Sequence, residues 1–132
     1  MAGRLILETT VLIDLEREHR RSEDGPASRF LRRHADAGLC VTLTTAGEIV
    51  GGLGPGDRAA WHDLLRRFAV LEPDLETCWA YGRIYRHLKD NGLLIGSNDL
   101  WIAATAVARG LPLVTRNDRH FRRVAGLHVM GY

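Results

Sequence analysis

Short apolar runs alternate with helical patterns along the whole chain, and this alternation restricts the possible folds more than any other feature. The runs at residues 4–7 (RLIL), 39–43 (LCVTL), 69–71 (AVL) and 113–114 (LV) have strand length. Between them, apolar residues recur at the 3.6-residue spacing of a helix. Strands separated by helices and joined by short loops form βαβ units. The expected fold class is therefore α/β, a central parallel sheet flanked by helices on both faces, built as a single domain over residues 1–132. In such sheets ligands bind at the carboxyl ends of the strands, so chemistry is sought directly after each run.

Local signals place the helices. Thr9 and Thr10 open a pattern carried by Val11, Leu12 and Leu15, followed by a charged stretch over residues 16–24. Pro26 starts a second helix, with Phe30 and Leu31 on its apolar face, and Gly38 precedes the second strand. A third helix is expected over 46–53 and a fourth from the Asp57 cap to Phe68. A fifth runs from the Asp74 cap to about Asp90. Asn98 is expected to cap an almost wholly apolar, hence buried, helix that Gly110-Leu111-Pro112 ends. Residues 115–126 read as turns, and 127–130 as a fifth strand.

Hydrophobic residues are 45% and charged residues 26% of the 132, an ordinary globular balance with no segment polar enough for long disorder. Met1-Ala2-Gly3-Arg4 meets only three apolar residues before Glu8, too few for a signal peptide or anchor. The longest apolar stretch, residues 100–108, is about half a membrane span. A cytoplasmic protein with no membrane segment is expected. Cys40 and Cys78 lack CxxC spacing and read as buried free thiols, and the six histidines show no metal-ligand spacing. The formal net charge is +2, and Lys89 is the sole lysine among 18 cations. Arginine forks suit phosphate, although a general compositional preference for arginine is the better account of the count, so local position must decide.

Four carboxylates occupy the expected strand ends: Glu8 after the first, Glu48 in the helix after the second, Asp99 opening the buried helix, and Asp118 after the fourth. Each has a plain local alternative. Glu48 follows Thr45 at capping-box spacing, Asp99 complements its helix dipole, Asp118 follows Thr115 at turn spacing, and Glu8 ends a strand. Together, four converging anions would repel unless a cation held them ionised. Oxygen ligands without histidine or cysteine select Mg2+ or Mn2+.

The segments LILETTVLIDLE, TTAGEIVGGL, NDLWIAATA and LVTRNDRHF, in this order across essentially the whole chain, resemble the PIN-domain ribonucleases. More narrowly they are similar to the VapC toxins of toxin-antitoxin pairs. The resemblance implies a PIN fold and metal-binding acids at Glu8, Glu48, Asp99 and Asp118. It also implies metal-dependent hydrolysis of RNA, with transfer RNA as a candidate substrate. The family's first acid is normally Asp, and the extra methylene of Glu8 moves the carboxylate by about 1.5 Å at full reach.

On this reading Glu8 and Asp99 hold one ion, Glu48 and Asp118 hold a second ion or ordered waters, and no side chain is the nucleophile. Thr115 and Asn117 are candidates to orient a phosphate oxygen or the attacking water, with turn roles as the alternative. Arg116 and Arg119 are candidate RNA-backbone contacts. The resemblance further implies a VapB-type antitoxin partner and a homodimer. Leu12, Leu15, Ile49 and Leu53 are candidates to line an antitoxin groove, or else belong to the core. Trp61, Trp79 and Trp101 read as core. The competing reading is a catalytically impaired PIN domain, with Glu8 in place of Asp, that binds RNA or antitoxin. A phosphotransfer domain would need an Asp nucleophile and a nearby lysine, whereas Lys89 lies far along the fifth helix.

Overall fold

The computed structural model describes residues 3–132, so Met1 and Ala2, which open the segment read against a leader, lie outside the described residues. The elements run β1 (Arg4–Leu7), α1 (Thr9–Arg20), α2 (Pro26–Arg33), β2 (Gly38–Thr42), α3 (Leu43–Glu48), a π-helical turn (Ile49–Leu53), α4 (Arg58–Leu65) and β3 (Ala69–Leu71). They continue with α5 (Leu75–Asp90), α6 (Ser97–Arg109), β4 (Leu113–Val114), α7 (Asp118–Phe121) and β5 (Val129–Met130). The five strands lie in the order β3-β2-β1-β4-β5, and all the pairings are parallel. This is the expected fold class.

Because β1 is central, its alternating side chains feed two separate cores. Ile6 stands level with Cys40 and Leu113. On that face they join Leu88, Leu100, Ile102, Ala103 and Phe121. Leu5 and Leu7 point the other way, with Val41 and Val114, into a cluster with Val11, Leu12, Phe30, Ile49 and Phe68. Each large side chain taken fully out of water here contributes about 1.5–3 kcal/mol before its entropy cost. A one-residue slip of β1 would exchange the two sets, so both cores fix its register.

Several elements differ from the sequence reading. The charged stretch does not stop α1, which runs to Arg20, because Asp14 and Glu18 lie on its buried side. The second strand passes into α3 without a loop. Thr42 is the cap, its Oγ1 accepting from the Thr45 amide at 3.1 Å, so Thr45 is inside the helix and there is no capping box with Glu48. What reads as one helix over 46–53 is α3 followed by a π turn broken at Gly52. Asn98 is not a cap: α6 begins at Ser97 after Gly96. The 115–126 region contains α7. Cys40 is buried, but Cys78 is exposed. Trp61 and Trp101 are half-buried, and Trp79 is 68% exposed, outside the core.

One interhelical contact compensates for a missing cap. Gly25 precedes α2 and offers no side-chain acceptor to it. Glu18 of α1 supplies one instead, accepting from the amides of Ala27 at 3.1 Å and Ser28 at 2.9 Å and from the Ser28 hydroxyl at 2.6 Å. These are amides that a helix start leaves without partners. A Cβ on Gly25 would lie 2.3 Å from the Glu18 carboxyl carbon, so the approach depends on glycine.

Candidate active site

The sheet brings the ends of β1 and β4 side by side, and Glu8, Thr10 and Thr115 meet there. Glu8 leaves β1 extended and caps α1, accepting from the Thr10 amide at 3.2 Å. Its Oε1 also accepts from the Thr10 hydroxyl at 2.7 Å and from the Thr115 hydroxyl just beyond β4. Each hydroxyl has one proton, and both are given to Glu8. Their lone pairs then take the amides of Arg116 (on Thr10) and Asn117 (on Thr115). Thr115 is thus a fully engaged support of Glu8, with no proton left for a phosphate.

Glu8 is 4% exposed. Burial pushes its carboxyl above the ordinary value, the Thr115 and Thr10 donors pull it back, and the Asp99 charge adds to the rise. Glu8 and Asp99 therefore feel each other as like charges.

Glu48 enters through threonines. Thr9 Oγ1 donates to Glu48 Oε1 at 2.7 Å. Its remaining contact, with Thr45 Oγ1 at 2.9 Å, makes Thr45 the donor there. Thr42 Oγ1 in turn lies 3.4 Å from Thr45 Oγ1. The hydroxyls form a directed chain from Thr42 through Thr45 and Thr9 to the carboxylate, and such chains polarise one another.

Asp99 sits in the first turn of α6, where the helix dipole favours an anion. Its Oδ2 is 3.0 Å from Nε2 of His120, a residue of α7 that sequence spacing did not single out. Asp118 begins α7 and pairs with Arg122 at 3.4 Å. Among the described residues it shares no hydrogen bond or ion pair with the other three acids. The Asn117 side chain is exposed beside it.

The two arginines behave differently. Arg116, exposed over about half of its side chain, turns its Nε to within 3.0 Å of Asp14 Oδ2, so one edge of its guanidinium is engaged. Asp14 is buried, also pairs with Arg17 at 2.8 Å, and accepts from the Tyr132 hydroxyl at 2.6 Å. Arg119 is exposed. The sequence carried a signal for this network, since Val11, Asp14 and Glu18 share one helical face. A charged residue on a buried face requires partners.

Among the described residues no three acids, histidines or cysteines are close enough to ligate one ion alone. A hard divalent cation held through one or two carboxylates, with waters and substrate phosphates completing its shell, does not require such a cluster. The donor set fits a hard divalent cation: Glu8 and Asp99 repel each other across the strand ends, and Glu48 stands one threonine away.

The family model for the PIN domain matches residues 5–127. The chain is 30% identical over 123 residues to Ribonuclease VapC1 of Methanocaldococcus jannaschii, covering 92% of this chain and 82% of that protein. It is 34% identical over 108 residues to Ribonuclease VapC2 of Haemophilus influenzae, covering 77% and 82% respectively. VapBC-1 from nontypeable Haemophilus influenzae superposes with a TM-score of 0.75 at 28% identity over 96% of each chain. VapBC2 from Rickettsia felis, bound to a promoter DNA fragment, superposes with a TM-score of 0.81 at 23% identity over 97% of this chain and 98% of that one, a likeness of fold. PIN-domain ribonucleases are as a class divalent-metal dependent. With its sheet, its strand-end carboxylates and these relatives in agreement, the chain belongs to the PIN-domain family, among the VapC ribonucleases.

Proposed function

We propose that this chain is a VapC-type toxin, an endoribonuclease of one domain that hydrolyses RNA phosphodiester bonds with Mg2+ or Mn2+ and is neutralised by a VapB-type antitoxin. The observation that carries this reading is the placement of Glu8, buried at the end of β1, within electrostatic reach of Asp99. A bound divalent ion would neutralise the phosphate and acidify an attacking water.

The protein's own groups do the rest. Glu8 and Asp99 are the ligands, and Thr10 and Thr115 hold Glu8 in one orientation. Glu48, fed by the threonine chain, accepts a proton or hydrogen bond from ordered water. Asp118 and Asn117 lie on the exposed rim, in reach of substrate rather than of the buried pair. Arg119 is the better candidate for the RNA backbone, because the Arg116 charge is partly answered by Asp14. We read the location as cytoplasmic; no described helix is long and apolar enough to cross a membrane.

The solved VapBC neighbours are toxin-antitoxin complexes, which supports an antitoxin partner here. Of the candidate groove residues, Leu12 and Ile49 are core, Leu15 is half-buried and Leu53 is exposed. A hollow lined mainly by Leu43, Ala46, Trp61, Phe68 and Val70, with His62 and Arg66 also on its lining, offers a largely apolar seat for a helix. Co-expression with any short reading frame found beside its gene, followed by measurement of complex mass, tests this partner, and the same experiment reports self-association.

Cleavage of an RNA panel that includes transfer RNA, with Mg2+ or Mn2+, tests the activity. Wild type is expected to cut and Asp99→Asn to lose at least a hundredfold, as is usual when a group stabilising the transition state is removed. If only Glu8→Asp cuts, the impaired-domain reading replaces ours. If Asp99→Asn cuts like wild type, the site is wrong.

A further inference from the structure

We infer that the His120 imidazole is a direct ligand, through Nε2, of the divalent ion that Asp99 holds, making the site a mixed nitrogen and oxygen centre that favours Mn2+ over Mg2+. This rests on the metal-dependent reading above and adds to it a residue outside the four acids.

The turn formed by α7 carries His120 back to the start of α6, leaving Nε2 3.0 Å from Asp99 Oδ2. At that distance a hydrogen bond would be ordinary, yet Nε2 is shielded from solvent and makes none. The pair has the distance of a hydrogen bond but not its geometry. A buried polar atom without a partner costs about 1–3 kcal/mol, and native structures rarely keep one without a reason.

An ion supplies the reason. Two ligand atoms at right angles around a cation, each about 2.1 Å from it, lie about 3.0 Å apart, and each points about 45° off the line joining them. Ligand atoms sharing a cation would have the spacing of a hydrogen bond without forming one, and His120 Nε2 and Asp99 Oδ2 have that spacing and form none.

The histidine is also held in place. Its neighbour Phe121 is fully buried in the core under α6, and the two rings stand edge to face with centroids 5.8 Å apart. Phe121 anchors α7 while His120 faces the acids. In ligand chemistry, an imidazole discriminates against magnesium, which demands hard oxygen donors, in favour of Mn2+ and the later first-row ions.

The test is pulsed electron paramagnetic resonance on the full chain loaded with Mn2+, paired with calorimetric Mn2+ and Mg2+ titrations. Wild type is expected to show the modulation of a directly bound 14N nucleus, which changes frequency when the protein carries 15N-histidine. That labelling arm needs no substitution. His120→Gln, with its fold checked by circular dichroism, is expected to lose the nitrogen signal and at least about tenfold in Mn2+ affinity, with a smaller change for Mg2+. No nitrogen coupling in wild type, or coupling and affinity unchanged in His120→Gln, overturns the inference. In that case Asp99→Asn, by losing Mn2+ binding, leaves the metal-dependent reading standing. If Asp99→Asn binds Mn2+ as wild type does, both fall.

Discussion

On the proposed reading, Glu8 is a single side chain that serves function at the expense of stability. Its carboxyl lies above its ordinary value of 4.5, chiefly through burial. Between that value and the raised one the folded protein holds the proton more tightly than the unfolded chain, so stability falls as pH rises across that window. In chelator, Glu8→Gln is expected to match wild type near pH 4.5. Above the raised value the penalty of the buried charge is absent from the variant, which should therefore melt higher than wild type while losing RNA cleavage. Differential scanning calorimetry across the pH range checks the first part, and gel assays the second.

At the same scale, the place of Glu8 was legible, because an acid just after a strand is a positional statement that topology converts into nearness to the neighbouring strand's end, whereas Asp118, paired with Arg122, stands apart from the other acids. His120 was not legible: its meeting with Asp99 depends on α7, four residues in a stretch with the composition of a turn. Nor was the commitment of Arg116, since a guanidinium in sequence carries no sign of whether a buried acid awaits it.

Among the elements, α1 and α2 are joined by the Glu18 cap. Burial alone would raise this carboxyl, but the Ser28 hydroxyl and the amides of Ser28, Ala27 and Gly25 outweigh it and hold the group below 4.5. The unfolded chain binds the proton more tightly, so the contribution is present above pH 4.5 and is lost as pH falls through the depressed folded value. Glu18→Gln is expected to cost about 1–2 kcal/mol at pH 7 and progressively less below pH 4.5, measured by urea unfolding at pH 7 and pH 3. Gly25→Ala should show a loss of the same sign, because the added methyl displaces the carboxylate. Elements whose caps are local, such as α4 behind Asp57 and α5 behind Asp74, could be read from sequence. A cap delivered from another helix, or a strand whose last residue is already the next helix's cap, could not.

For the molecule as a whole, the Asp14 network ties α1, the loop after β4 and the segment after β5 together. Burial first, then the Asp14 contact, pushes the Tyr132 phenol well above its ordinary value, so it stays protonated and donates at all physiological pH. Tyr132→Phe is expected to cost about 1.5–3 kcal/mol, the usual worth of a hydrogen bond to a charged group, in chemical denaturation. A loss under about 0.5 kcal/mol would show that Arg17 and Arg116 satisfy Asp14 alone. The two-core architecture was legible from the continuous apolar runs of β1 and β4. The strand order was not, because alternation fixes neither which strand is central nor which is at the edge.

The central place of β1 has a consequence for synthesis. The first strand made is flanked by the second and the fourth, so its open side has no partner until Leu113 and Val114 have left the ribosome, and Glu8 lacks the Thr115 donor until then. Translation at about 5–20 residues per second leaves the nascent chain several seconds without an assembled catalytic end. On the proposed reading, a product that stops before β4 lacks both the strand that pairs with β1 and the Thr115 donor to Glu8.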